Sequence, residues 1–420
     1  MRILILHQFF YPDHSAVSQL MTELAESLVE QGLEVTALAG RGLYNGGQRL
    51  APREEYRGIR IERAWTTSRG KRSLAARLTD YLSFYLGASW KLLRLPAHDI
   101  LLTLSHPPLI GLIALFFGRL RRMRIIALVQ DIHPDLAIHL GTIGARNPAA
   151  RALNWLNCRA LRGADRIIVL SECMRERIAA KVGARNSSRI DIIHNWADGR
   201  AIRPLDGEPN PFVAEHHLEG KFVVLFSGNF GLVNEFQTVL DAARRLRERS
   251  DLLFLFIGDG VRAGEIRRFT EQHGLENIRM LPYQPRQSLR YSLAAGHALL
   301  TTLADGLAGL SVPSKTYASL AAGRPVLFVG DARSDVARLV TEHGCGAVIA
   351  AGDGERLAAV IEDWAADGAK LARMGRAARA LFESRFDRPH AVSAYLETFS
   401  RCADIAPGGY NPELAKESES

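Results

Sequence analysis

At 420 residues and 46.4 kDa the chain is too long for one compact hydrophobic core, and two domains are the default. With 47% apolar and 23% charged residues it has a globular rather than a fibrous or disordered composition. Its 53 Lys and Arg against 45 Asp and Glu give a net charge of +8, which suits anionic partners such as nucleotides, diphosphates or acidic lipid head groups. No basic run interleaves with aromatics, which argues against nucleic acid. The four cysteines, Cys158, Cys173, Cys345 and Cys402, lack CxxC spacing, so reduced cytosolic thiols are expected and a zinc site is not.

MRILILH predicts a first strand at residues 2–6 and lacks a cleavable signal pattern. Val17, Leu20, Met21, Leu24, Leu28 and Val29 then fall on one helical face, Gly32 closes the helix, and residues 34–38 return as a strand. This βαβ unit implies a parallel sheet. The loop HQFFYPDHS sits at the carboxyl end of the first strand, where open α/β sheets bind ligands. His14 on that loop is a possible substrate contact, with simple solvation as the bland alternative.

Residues 40–72 predict a long mobile connection with one strand near Ile59–Ile61. A helix rich in Leu, Tyr, Phe and Trp follows over residues 74–95, with Arg77, Lys91 and Arg94 along it. Next come a strand at 99–104, the apolar segment LIGLIALFFGRL, and Arg121, Arg122 and Arg124. That segment is shorter than the roughly 20 residues a membrane span needs. Two readings stay open: a buried helix with a basic exit, or a monotopic patch with apolar residues dipping into the bilayer and arginines on anionic lipid. The strand at 124–129 ends in QDIHPD. Asp131, His133 and Asp135 there suggest a polar loop, with Asp131 holding local backbone or acceptor hydroxyls. A metal site is disfavoured by the intervening Pro134 and the lack of further ligands.

Residues 195–220 hold Pro, Gly and charge without long periodicity and form the expected hinge. The strand–loop–helix rhythm then restarts, with SGNFG after a strand at 221–226, GDG after one at 252–257, and PYQP after one at 277–281. These loops all follow strands, so they gather on one edge of a second doubly wound sheet. The segment 305–327, DGLAGLSVPSKTYASLAAGRPVL, runs from a Gly-rich loop into a helix expected to be capped by Ser314, then into a strand. Helix N-terminal N–H groups with Lys315 beside them would suit a phosphate, and an ordinary capped helix with a solvated lysine is the alternative. A helix is expected near 391–402 and a polar, disordered tail from residue 406.

Taken in order, YPDHS, QDIHPD, ADRIIVLSECMRERI, HNWAD, FSGNFG, FIGDG, LPYQP and VPSKTYASLAAGRPVL resemble glycosyltransferase family 4, in its bacterial branch that builds O-antigen, capsule or exopolysaccharide. The resemblance covers nearly the whole chain. It implies the GT-B fold, two doubly wound Rossmann-like domains facing a cleft: an acceptor domain over 1–200 with membrane-associating helices, a nucleotide-sugar domain over 201–385, a C-terminal helix over 386–405 and a tail over 406–420. It also implies retaining, metal-independent transfer from a nucleotide sugar, UDP-linked by expectation, to a polyprenyl-diphosphate-linked saccharide. No cofactor is implied, and the enzyme would work peripherally at the inner face of the cytoplasmic membrane.

By the same resemblance the base lies near Tyr283 and Gln284. The ribose and diphosphate lie near Ser314, Lys315 and Thr316 and against Gly228, Asn229 and Phe230, with Gly258, Asp259 and Gly260 on the adjoining loop. The sugar lies against Asp305, Gly309 and Leu310, facing the cleft, and Lys315 and Asp131 are the expected catalytic side chains. The family explains retention by same-face attack, the leaving phosphate taking the acceptor's proton, so no carboxylate pair is needed. The chain departs from the family pattern in three places. Leu310 and Ala318 stand where many members have two glutamates, Asn229 and Asn234 stand at an Arg and a Lys, and Ser15-Ala16 replaces Gly-Gly. That leaves Lys315 as the expected diphosphate cation, with Arg286 or Arg324 in reserve. A nucleotide-sugar-binding partner protein without catalysis is the second reading, and a nucleotide-sugar epimerase the third.

Overall fold

The computed structural model describes residues 1–44, 46, 49–67 and 74–403. The tail from 406, and part of the expected mobile connection over 40–72, lie outside the described residues.

The N-terminal lobe is an eight-stranded sheet made of β1 (Arg2–Leu6), β2 (Glu34–Gly40), β3 (Arg53–Tyr56), β4 (Ile59–Ala64), β5 (Ile100–Leu104), β6 (Arg124–Val129), β7 (Arg166–Val169) and β8 (Ile190–Ile192). The order is β3-β4-β2-β1-β5-β6-β7-β8, parallel except for the β3–β4 hairpin. Helices α1 (Ala16–Glu30), α2 (Leu74–Arg94), α3 (Ile110–Leu120), α4 (Asp135–His139), α5 (Pro148–Gly163), α6 (Glu172–Val182) and α7 (Ala184–Ser187) join these strands. Side chains alternate along a strand, so β1 feeds two cores. Ile3 and Ile5 pack with Leu24 and Leu28 of α1, while Leu4 and Leu6 pack with Phe84 and Ala88 of α2 and Ala114 of α3. The hairpin strand β3, whose sequence is REEY, was not expected. It is a charged edge strand with no apolar alternation to betray it.

The C-terminal lobe holds β9 (Phe222–Ser227), β10 (Leu252–Ile257), β11 (Ile278–Leu281), β12 (Ala298–Thr302), β13 (Val326–Val329) and β14 (Gly346–Ile349) in the order β11-β10-β9-β12-β13-β14, all parallel. Its helices are α8 (Pro211–Glu215), α9 (Gln237–Arg245), α10 (Ala263–His273), α11 (Leu289–Ala295), α12 (Lys315–Ala321), α13 (Asp335–Glu342), α14 (Gly354–Ala366) and α15 (Gly368–Arg385).

The chain crosses between lobes twice, through residues 195–210 and again near 387, where Ala197 and Asp387 form a bridge. After the second crossing α16 (Arg388–Ala403) lies on the N-terminal lobe. Arg388 reaches Glu26 of α1 at 3.5 Å and Asp198 at 3.6 Å, Arg401 reaches Asp191 at 3.1 Å, and Tyr395 packs edge-on against Trp196. The strand order reverses direction at β1/β5 in one lobe and at β9/β12 in the other. A doubly wound sheet opens its ligand crevice at that reversal, at the carboxyl ends.

Candidate active site

At the C-lobe reversal the loop after β9 meets the loop after β12, with Ala304 N donating to Val233 O at 2.8 Å. Gly228, at φ +138°, stands where an added Cβ would touch only the Cε of Lys315, at 3.6 Å, so the backbone is open to a neighbour there. Gly258 is different: its Cβ would fall 2.0 Å from Gly228 O, so this glycine serves the stacking of the two loops. Lys315 therefore points to the glycine loops, as expected from the sequence.

The surroundings of Lys315 are unusual for a lysine. The residue keeps some exposure, but its ammonium end is enclosed. Nζ lies 3.8 Å from the centroid of the Phe226 ring and donates to Asn234 Oδ1 at 3.0 Å. Among the described residues it has no carboxylate partner. Glu235 accepts from Thr238 N, Asp259 from Gly260 N, and Arg262 is forked onto Glu265 at 2.6 and 2.7 Å. Burial pushes the Lys315 amine down to about 7. Asn234 is the scaffold of the corner. Its Nδ2 donates to Asn229 O at 3.1 Å and Gly231 O at 3.2 Å, and its Oδ1 also accepts from Thr302 at 3.3 Å. Neither the Asn234 scaffold nor the Phe226 face was anticipated, because an asparagine and a strand phenylalanine carry no distinctive spacing.

Several expected residues are placed differently. Ser314 makes no side-chain cap bond, and α12 has only seven residues. The N–H groups of Thr316 and Tyr317 turn back onto Pro313 O and Ser314 O at 3.2 Å each, so these amides are not aimed at an anion. Thr316 is buried with its hydroxyl unpartnered. Phe230 is core, with its N–H given to Asp259 O and its carbonyl taken by Arg262 N. Neither reserve cation stands at the corner: Arg324 donates to Ala294 O, and Arg286 pairs with Glu23 of α1. Glu23 also accepts from Trp196 Nε1 at 3.0 Å, tying the hinge to the turn that carries Tyr283 and Gln284. Tyr283 is 53% exposed and donates to Asp259 O at 3.3 Å, while the Gln284 amide folds back onto Pro282 O.

The loop carrying Asp305, Gly309 and Leu310 faces the N-terminal lobe but is fastened to it. Ile132 N donates to Leu310 O at 3.0 Å, Arg177 Nε to Ala308 O at 2.8 Å, and the His139 ring bonds Asp305 O at 2.7 Å. Asp131 and Ser311 form an antiparallel bridge across the lobes. Leu310 is buried, so its side chain lies in the core rather than at the cleft. The N–H groups of Ala308 and Gly309 make no hydrogen bond among the described residues. Asp131 N donates to Ser105 Oγ at 3.3 Å, and the Asp131 carboxylate has no hydrogen bond or ion pair among the described residues. His14 is exposed.

Residues 15–196 match the family model of the glycosyl transferase 4-like domain, and residues 210–381 match that of glycosyl transferases group 1. The chain is 29% identical over 268 residues to WbjE of Pseudomonas aeruginosa, named as a glycosyltransferase, covering 63% of this chain and 66% of that protein, just under two thirds of its length. It is 25% identical over 358 residues to WcaI of Escherichia coli (strain K12), named for a glycosyl transferase of colanic acid biosynthesis, covering 81% of this chain and 86% of that protein. Among solved structures, HepE from Anabaena in complex with UDP and glucose superposes with a TM-score of 0.73 at 16% identity, covering 96% of this chain and all of that one. That likeness carries the fold, two parallel-sheet lobes of the GT-B type.

Proposed function

Because the chain belongs to the glycosyl transferase 4-like and group 1 family, we propose that it moves a sugar from a UDP-linked donor to a polyprenyl-diphosphate-linked saccharide, with retention and without a metal. Lys315 carries this reading. A buried amine held by an asparagine and a phenyl face, with no carboxylate beside it among the described residues, suits the counter-ion that a diphosphate would supply. The glycosidic bond to the leaving phosphate breaks as the bond from C1 to the acceptor oxygen forms on the same face. The acceptor's proton passes to the leaving phosphate. Lys315 and backbone N–H groups stabilise the charge that develops on the diphosphate, and the amides of Ala308 and Gly309 are donors for sugar oxygens. The unengaged Asp131 carboxylate, at the seam between lobes, is positioned to hold the acceptor hydroxyl.

The acceptor's lipid is supported by α2. Leu78, Leu82, Leu86, Trp90 and Leu93 form one helical stripe, each between 50% and 65% exposed, and Phe116 and Leu120 of α3 and Trp155 of α5 add further exposed apolar surface. Arg119, Arg121, Arg122 and Arg124 stand in or just after α3. Among the described residues no helix is long and apolar enough to cross a membrane. A stripe of this kind suits peripheral contact with an anionic bilayer at the inner face of the cytoplasmic membrane.

The deciding experiment incubates the purified protein with UDP-sugars and an extract of lipid-linked saccharides and follows UDP release. Transfer with retained anomeric configuration supports the proposal. UDP binding without any transfer would favour the catalytically inactive partner protein, a reading that the apolar Leu310 and Ala318 keep in play.

A further inference from the structure

The N-terminal lobe has its own strand-order reversal, between β1 and β5, and the side chains gathered beside it have no role in the donor chemistry. His106 lies two residues beyond β5, and His133 four beyond β6. The Tyr81 hydroxyl of α2 approaches His106 Nε2 at 3.4 Å, and Arg77, one turn earlier, approaches that hydroxyl at 3.5 Å. The His106 and His133 rings are 6.3 Å apart. These contacts are at the long end of hydrogen bonding and would tighten around an inserted oxygen acceptor.

Two observations suit an anion at this place. Arg77 is exposed and forms no ion pair with a carboxylate among the described residues. Asp80 accepts from Thr67 at 2.5 Å and Asp135 is paired with Lys181 at 2.6 Å, so the Asp131 carboxylate, near enough to His133 to act on its basicity, is the acid without an ion pair beside these rings among the described residues. In addition, the Nε2 of His133 is buried with no partner. Burial lowers the basicity of that ring, Asp131 and Asp135 oppose the shift, and the charge of Arg77 adds to it.

The order of features is chemically specific. The exposed apolar stripe of α2 begins at Leu78, beside Arg77, the histidines come next, and Asp131 follows at the bridge to the donor loop. Lipid, diphosphate and sugar stand in that same order along a lipid-linked saccharide. We propose that Arg77, Tyr81, His106 and His133 form the seat for the acceptor's diphosphate, its lipid leaving along the α2 stripe and its sugar reaching Asp131. This rests on the lipid-linked acceptor reading given above.

Farnesyl diphosphate, farnesol and inorganic diphosphate, titrated calorimetrically into the full-length protein with and without UDP, test the seat. Farnesyl diphosphate should bind equally well in both conditions, and the two fragments should bind at least about tenfold more weakly. Arg77→Gln should weaken farnesyl diphosphate by about tenfold or more, and Arg77→Lys should recover most of that loss. Both variants should keep wild-type affinity for UDP and for phosphatidylglycerol vesicles. The seat is overturned if Arg77→Gln binds farnesyl diphosphate like the wild type, or if UDP displaces the probe. An equal loss on phosphatidylglycerol vesicles would also overturn it, by making Arg77 a general headgroup contact. A flat UDP titration would remove the donor reading alone, because the arm without UDP still decides this one.

Discussion

The two lobes use one topological device to build two unlike surfaces. At the β9/β12 reversal the edge is mostly backbone, with stacked glycine loops and, among the described residues, unengaged amides and an enclosed amine that has no carboxylate beside it. At the β1/β5 reversal the edge is made of side chains, with Arg77, Tyr81, two histidines and an unengaged aspartate. Backbone donors suit an oxyanion-rich group that recurs in every donor, because they bind charge without reading identity. Side chains suit a partner that must be distinguished. The lesson is that the fold supplies the location of each crevice, and the residue types at its rim decide what enters.

The largest expected break in this contrast comes from Lys315→Met. Loss of the enclosed amine that has no carboxylate partner among the described residues should lower kcat/KM for transfer by about 1000-fold or more, measured by UDP release. The protein should stay folded and melt at a higher temperature. The unfolded chain binds a proton at Lys315 between pH 7 and its ordinary range, while the folded chain does not, so wild-type stability rises with pH there. The variant's gain should therefore be on the order of 2 kcal/mol near pH 7 and shrink as pH increases.

At the opposite edge, Asp131→Asn should lower kcat by about 100-fold with UDP affinity unchanged, which separates acceptor handling from donor binding. An equal fall in UDP affinity would mean the two edges are not independent.

The pH dependence of UDP binding sharpens the contrast further. A bound diphosphate favours the charged amine, so the complex takes up a proton above pH 7 and affinity should fall as pH rises, by up to about tenfold per unit. Calorimetry in buffers of different ionisation enthalpy would register that uptake. Lys315→Arg, always charged, should flatten the profile.

Smaller effects belong to surfaces that support the edges. Replacing Leu82 and Leu86 by Ser should weaken flotation with anionic liposomes by about tenfold or more, at about 1 to 1.5 kcal/mol for each partly inserted side chain, without altering UDP affinity. Glu23→Gln, which loosens the partly exposed Arg286 pair but keeps a partner for Trp196, should cost no more than about 1 kcal/mol in thermal stability.

Most of the architecture was legible because it follows from periodicity. The alternation in β1 and the helical face of α1 are visible in residues 1–30, and the strand-end loops follow from the parallel connections. What escaped was set by tertiary contact. REEY became a strand because β4 offered an edge, and Arg286 left the donor corner because Glu23 lies across the gap. Lys315 was found from its place at a helix start, but for an incomplete reason: the Thr316 and Tyr317 amides are turned back, and the Lys315 side chain reaches Gly228. The burial of Phe230 and Leu310 could not be read from loops whose neighbours belong to distant sequence.

The return of α16 to the first lobe has a practical result. The surface that Tyr395 and Phe399 cover belongs to the half encoded at the other end of the gene. A fragment stopping near residue 200 would expose that apolar patch and should aggregate unless residues 388–403 are supplied in trans or grafted on. A late stop codon should accordingly damage acceptor handling before it touches nucleotide binding.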